Sequence, residues 1–372
     1  AKHPPKHDVN PDIVLSERER DFHPVIFDCL DAEAIRKAAL KTQGGAGPSG
    51  ADASFWKRTC TSFQTVSDDL CASMALIAKK ISTSYVDPEG LSAFTACRLM
   101  ALDKQPGVRP IGIGEVVRRI VSKAILGVIG DEIMEVAGTT QLCAGQEAGC
   151  EIGVHSMRAI FQDPNTEAIL FVDVSNAFNL LNRHAALLNI HSLCPSLAIA
   201  LTNTYRSDSS LFIEGETLFS SEGTTQGDPL AMAMYALAVV PLIRQLNDLA
   251  HQVWFADDAS AGGCLNDLLV WWEKLNEIGP SFGYYPNAGK TWLVTKEEHL
   301  QVAQELFAAH RINLTTNGHQ YLGSAIGDEN FLDIFLQRKI QKWVSQIHTL
   351  SEIAVIEPHA AYCGFTHGLK ST

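Results

Sequence analysis

The chain has no Cys-x-x-Cys pair. Its nine cysteines (29, 60, 71, 97, 143, 150, 194, 264 and 363) are scattered through 372 residues. That scatter argues against a disulfide framework or a thiolate zinc site, and predicts buried, reduced thiols in an intracellular protein. Positive charge is scarce, with 29 Lys and Arg against 42 Asp and Glu and a formal net charge of −13. Coating nucleic acid non-specifically needs Lys and Arg to neutralise phosphates, so any nucleic-acid surface has to be local. No apolar run looks long enough to cross a bilayer. The longest, residues 229–243, contains Pro241 and predicts a buried core helix. Residues 1–24 are polar with scattered Pro and His, so they read as a loose lead-in and not as a signal peptide. Nuclear or cytoplasmic residence is expected, not secretion, and Ala at position 1 points to a processed or cut piece of a longer product. The glycine run of residues 43–50 lacks the Lys-Ser or Lys-Thr of a P-loop, and predicts a flexible surface loop.

What is present is ordinary globular material, 46% hydrophobic and 19% charged, in a chain long enough for two or three subdomains. Residues 32–40 have helical spacing. Residues 55–80 predict one or two amphipathic helices, with Phe63, Val66, Leu70, Met74 and Ile77 on one stripe. Residues 97–111 read as a β-hairpin turning at Pro106-Gly107, with Lys104 and Arg109 side by side at its tip. A helix follows from about Glu115. From residue 97 to 123 there are six basic residues (Arg98, Lys104, Arg109, Arg118, Arg119, Lys123) against two acidic ones (Asp103, Glu115). This excess reads as a local phosphate-seeking surface, with a solvated charged face as the plainer reading for Arg98 and Arg118.

The chemistry lies in carboxylates at strand ends. Val253-Trp254-Phe255-Ala256-Asp257-Asp258-Ala259-Ser260-Ala261 reads as strand, tight Asp-Asp turn and strand. Such a turn alone is a solvated loop. A third acid changes its meaning: the apolar run Ala168–Val172 predicts a buried strand ending at Asp173, with Ser175 as N-cap of a helix over 176–188. Between them, Asp228-Pro229 is a helix start, and Gly227 permits close approach by a flat partner such as a base pair. Asn287-Ala288-Gly289-Lys290-Thr291 is a turn entering a strand, residues 321–326 are hairpin-like, and 331–350 predict a helix with Arg338, Lys339 and Lys342 on its polar side. His359, Cys363 and His367 fall at i, i+4 and i+8, but no second pair accompanies them as a metal site would require. Asp173, Asp257 and Asp258 together make an oxygen-only cage for two Mg²⁺ ions, with Mn²⁺ as a substitute. Arg109, Lys104 and Lys290 are the cations available for phosphoryl transfer.

These motifs resemble those of a reverse transcriptase of the retrotransposon type, most similar to elements that lack long terminal repeats. Arg109-Pro110-Ile111-Gly112-Ile113 is similar to the fingers motif, and Phe171-Val172-Asp173-Val174-Ser175-Asn176-Ala177-Phe178-Asn179 to the first palm motif. Gln226-Gly227-Asp228-Pro229-Leu230 is similar to the second, and Phe255-Ala256-Asp257-Asp258 to the catalytic hairpin, where Tyr more often precedes Ala. Gly289-Lys290-Thr291 and Leu322-Gly323 resemble the two motifs that follow. The likeness runs in order over about residues 33–345.

The resemblance implies an α+β fold of right-hand architecture, with an antiparallel palm sheet backed by helices. Its divisions would be a lead-in over 1–32, fingers over 33–165, palm over 166–326 and the start of a thumb over 327–372. It implies RNA-templated DNA synthesis from an RNA template, a DNA primer and deoxynucleoside triphosphates, with no membrane. Asp173, Asp257 and Asp258 would hold the metals. Lys290 would stand by the leaving pyrophosphate as a proton donor. Arg109 and Lys104 would grip the triphosphate, and Gln226 and Gly227 would flank template and nucleotide. Phe178 would exclude a 2′-hydroxyl, its plainer reading being a core aromatic. Arg338, Lys339 and Lys342 would lie along the duplex backbone. The acidic total and short thumb depart from the family, and motivate the alternative of a catalytically inactive derivative acting as a binding or scaffold protein.

Overall fold

A computed structural model describes residues 4–15, 21–103 and 108–369. Lys104 and the Pro106-Gly107 turn lie outside the described residues. The helices α1 (Ala32–Lys41) and α2 (Ala53–Thr61) begin at Asp31 and Asp52, whose side chains accept from the N–H groups of Ala34 and Phe55, satisfying donors that a helix start leaves unpaired. Next come α3 (Thr65–Thr83), α4 (Pro88–Thr95) and the antiparallel pair β1 (Cys97–Asp103) and β2 (Val108–Gly114). α5 (Val116–Ala137) and α6 (Gly149–Gln162) lead into β3 (Ala168–Val172).

The helix expected over 176–188 is broken in two, α7 (Ala177–Leu180) and α8 (Arg183–Leu193). Ser175 does not cap it. Asn176 starts α7 with φ +53, and the Asn182 side chain caps α8 by accepting from Ala185 N–H. α9 (Pro195–Tyr205), the hairpin β4 (Ser209–Ile213) and β5 (Glu216–Ser220), and α10 (Pro229–Ala238) follow. As the sequence predicts, Asp228 caps α10 and Pro229 opens it. α11 (Val240–Leu246) continues the same apolar stretch. Counted from Pro229 to Leu246, that stretch has 18 residues and is long and apolar enough to cross a membrane, correcting the shorter estimate; 78% of it is buried inside this fold.

β6 (His251–Phe255), β7 (Asp258–Gly263), α12 (Leu265–Ile278), β8 (Trp292–Thr295), α13 (Leu300–Phe307), β9 (Asn313–Thr315), β10 (Gly318–Tyr321) and β11 (Ser324–Gly327) complete the mixed α and β body. The tail is α14 (Glu329–Ile356) and α15 (Pro358–His367). No residue of α14 is buried, and Ile340, Trp343, Val344 and Ile347 are exposed along it.

The five-stranded sheet has the order β6-β7-β3-β8-β9. β3 is antiparallel to both β7 and β8 and buried on both faces, which is why its sequence is an unbroken apolar run. Leu170 and Val172 face the main core, which reaches from Ile13 to Phe307. Ile169 and Phe171 face α6 and the β10–β11 hairpin through Val154, Met157, Tyr321 and Ile326. The wholly antiparallel sheet expected from the sequence is corrected here: β8 and β9 run parallel, because the chain returns between them through α13, the kind of crossover parallel strands need. The second sheet, β2-β1-β4-β5, is also mixed, with β1 parallel to β4.

Three local expectations fail, the first two for one reason: polar side chains far away in sequence capture the backbone. Residues 7–15 of the lead-in are not loose. Asn189 accepts from Leu15 N–H and donates to Ile13 O, Asn182 donates to Asp8 O, and His7 N–H donates to buried Glu222. The glycine run is not a free loop either, since Arg119 donates to Gln43 O and Gly45 O, and Glu115 takes both Ser49 N–H and its hydroxyl. α3 buries Cys71, Met74, Ala75, Ala78 and Ile81, leaving Phe63, Val66 and Ile77 exposed, because the face rich in small residues packs against α1, α5 and α9.

The basic excess of 97–123 is correspondingly reassigned. Arg119 and Lys123 bind backbone carbonyls, and Arg118 is a buried structural charge. Its Nη2 lies 2.5 Å from Asp228 Oδ2, with both side chains 2% exposed. Nη1 donates to Thr95 O, and Tyr205 donates to the same Asp228 oxygen. The carboxylate holds the Arg118 pKa above its ordinary value despite burial. Removing one partner of a buried pair strands the other charge, so Asp228→Ala should cost about 3–5 kcal/mol of unfolding free energy. Urea denaturation followed by circular dichroism measures this. An Arg118→Met, Asp228→Leu double variant should recover much of the loss.

Candidate functional site

Phe255 pairs with Asp258 across β6 and β7, so the two-residue turn is Ala256-Asp257 and not the Asp257-Asp258 turn expected from the sequence, because Asp258 already opens β7. Ala256 has φ +54, and Asp257 is not among the positive-φ residues. A turn of this kind favours Gly at its first central position, and alanine there is strained. The strain is contained by Gln141, which is 1% exposed: its Nε2 donates to Ala256 O at 3.1 Å and its Oε1 accepts from Ala256 N–H at 2.9 Å. Tyr284 Oη donates to Asp257 O at 2.9 Å.

The third carboxylate is brought in by register. Val172 pairs with Ala259, so Asp173 follows directly beside Asp258. Asn287 N–H donates to Asp173 O, and Ser175 N–H to Tyr285 O, fastening the residues after β3 to the loop before β8. That loop carries Lys290, whose Nζ lies 3.5 Å from Asp173 Oδ2.

Asp173, Asp257 and Asp258 share a cleft of about 600 Å³ with Arg109, Phe178, Gln226 and Gly227. A second cleft of about 430 Å³ opens on the other side of Asp173 and Asp258, lined by Lys290, Trp292, His319 and Tyr321 among others. Phe178, half-buried on α7, stacks on Tyr235 of α10 with ring centroids 4.5 Å apart. Tyr235 is buried, and its hydroxyl meets no hydrogen-bond partner among the described residues. Gly227 has φ +107, and a Cβ there would stand 2.8 Å from Gly112 O. The close approach expected at Gly227 is therefore made by β2, which also donates Gly112 N–H to Gln226 O. Arg338, Lys339 and Lys342 line neither cleft. Lys339 donates to Gly323 O and lies over the Phe335 ring.

Three carboxylates in one place repel one another. Asp258 still touches solvent, yet enclosure by protein, then Asp257, then Asp173, push its pKa up to about 7. A divalent cation relieves such repulsion, and an all-oxygen donor set suits a hard ion such as Mg²⁺. Among the described residues no three His, Cys, Asp or Glu side chains are already closed round one point. The acids share a cleft without forming a tight cage.

Gln141, Tyr235 and Tyr284 escaped the sequence reading. Gln141 carried no signal, because its partner lies 115 residues away, while Tyr235 lay inside the run 229–243 that predicts a buried core helix and Tyr284 carried no motif. No protein-family model matches the chain, and no match was found among the curated proteins.

The raised Asp258 pKa fixes a sign. The folded chain holds this proton more tightly than the unfolded chain, whose carboxylate titrates near 4. That contribution is complete below pH 4 and lost as pH rises through about 7. In divalent-free buffer the wild type should lose Tm relative to Asp258→Asn between pH 4 and 8, and added Mg²⁺ should restore more at pH 8 than at pH 5. Thermal unfolding across that pH range tests both.

Proposed function

We propose that the chain is an RNA-templated DNA polymerase, the reverse transcriptase domain of a retroelement lacking long terminal repeats. Its parts would be fingers over 33–165, palm over 166–326 and the start of a thumb beyond. The observation that carries this reading is the register of β3 on β7, which sets Asp173 beside the Asp257-Asp258 turn in a cleft shared with Arg109, Phe178 and Gln226-Gly227.

On this reading Asp173, Asp257 and Asp258 would hold two Mg²⁺ ions. When bound, these ions would promote deprotonation of a primer 3′-hydroxyl and neutralise the triphosphate. The hydroxyl oxygen forms a bond to the α-phosphorus, and the bond to pyrophosphate breaks. Arg109 binds the triphosphate from the β2 wall, with Lys104 assigned the same task from the resemblance. Lys290 supplies positive charge on the far side of Asp173 and a proton for the leaving group. Phe178, braced by Tyr235, stands under the sugar, and Gln226-Gly227 orient nucleotide and template. Arg338 and Lys342, exposed on α14, offer phosphate contacts along a duplex, and Lys339 stands beside them. Most of the catalysis is positioning and charge neutralisation.

The test is primer extension on an RNA template with Mg²⁺ and deoxynucleotides. Wild type should incorporate and Asp257→Ala should not; equal incorporation by the two rejects the assignment. Arg109→Ala should raise KM for deoxynucleotide roughly ten-fold, the weight of one lost charge-assisted contact. Phe178→Ala should raise ribonucleotide incorporation relative to deoxynucleotide.

A further inference from the structure

We propose that Gln141 is a positioning residue whose amide holds the Asp257-Asp258 turn in the shape that takes a divalent cation. The segment before α6 runs alongside the end of β6, with Trp254 N–H donating to Thr140 O and Leu142 N–H to Trp254 O. Main-chain pairing stops there. The Gln141 side chain extends it by two residues, meeting both the N–H and the O of Ala256 as another strand would. Ala256 is 4% exposed, so water does not replace these bonds.

Ala256 needs the support because its positive φ is unfavourable for an L residue. The next two residues are the carboxylates. Without the amide, the turn is free to relax toward a backbone better suited to alanine, swinging Asp257 and Asp258 away from Asp173. Another group also bears on the turn, Tyr284 through its hydrogen bond to Asp257 O. The Gln141 side chain satisfies both backbone groups of Ala256.

The inference rests on the polymerase reading for why the turn matters, but its test needs no polymerisation. Mn²⁺ alone is titrated into the purified full chain, and binding is followed by loss of the free-ion electron paramagnetic resonance signal. Asp257→Ala sets the scale of a lost ligand. Gln141→Met keeps the side-chain length and removes both bonds, and should weaken Mn²⁺ binding about ten-fold or more. Gln141→Glu should fall between, because a carboxylate still accepts from Ala256 N–H but cannot donate to Ala256 O. Met157→Ala, a core change on α6, should lower Tm while leaving Mn²⁺ affinity close to wild type. Wild-type affinity in Gln141→Met, or equal weakening by Met157→Ala, overturns the proposal. If Gln141→Met does not fold, Gln141→Glu decides, and wild-type affinity there overturns it. Weakened Mn²⁺ binding in the Gln141 variants from a wild type that extends no primer would reject the polymerase reading and leave this one standing.

Discussion

Mutual repulsion among three acids governs this fold's candidate site. A chain free to relax would separate Asp173, Asp257 and Asp258. Here they are held together by the main-chain ladder between β3 and β7, on strands buried in the middle of the molecule. The ladder is backed on one face by α12 and the main core, and on the other by α6 and the β10–β11 hairpin. Core packing therefore supplies the work of concentrating negative charge, and the raised Asp258 pKa is the visible residue of that work.

The same division of labour recurs around the cleft. The Gln226-Gly227 wall is shaped by backbone contact with Gly112 and anchored from behind by the Arg118–Asp228 pair. Further back, Arg183 fills the space under that wall and donates to Gly223 O, Ser220 O and Glu222 O. Polar side chains buried this way are costly unless paired, and Arg183 spends donors on main-chain carbonyls from the end of β5 to Gly223. Arg118, Arg119, Lys123 and Arg183 thus serve construction, which reduces what is available to bind phosphate.

Much of this was readable from sequence, for identifiable reasons. β3, the hairpin that carries Asp257 and Asp258 (though not its turn, which falls one residue earlier), the Asp228-Pro229 helix start and the first hairpin all follow from local rules of apolar runs, turn residues and caps. The register linking Asp173 to Asp258 was guessed from strand ends and depended on a fold likeness. Gln141, the docking of residues 7–15 and the tethered glycine run were unreadable, because each depends on a hydrogen bond spanning more than 60 residues. The α3 stripe misled because the helix carries two interleaved apolar faces, and side-chain size, not hydrophobicity, selected the one that packs. The division of 176–188 into two helices turns on non-helical backbone at Leu181 and Asn182, where Asn182 N–H donates to Phe282 O, a partner 100 residues away that no periodicity announces.

The buried, pleated β3 carries a consequence for engineering. Successive side chains on a strand point to opposite faces. Deleting a single residue from Ala168–Val172 would shift Asp173 by one pleat and turn it away from Asp258. Such a chain would keep every acid, every motif residue and much of its hydrophobic count, and would still have lost its site. Register within those five residues, more than the inventory of carboxylates, decides whether the three acids meet.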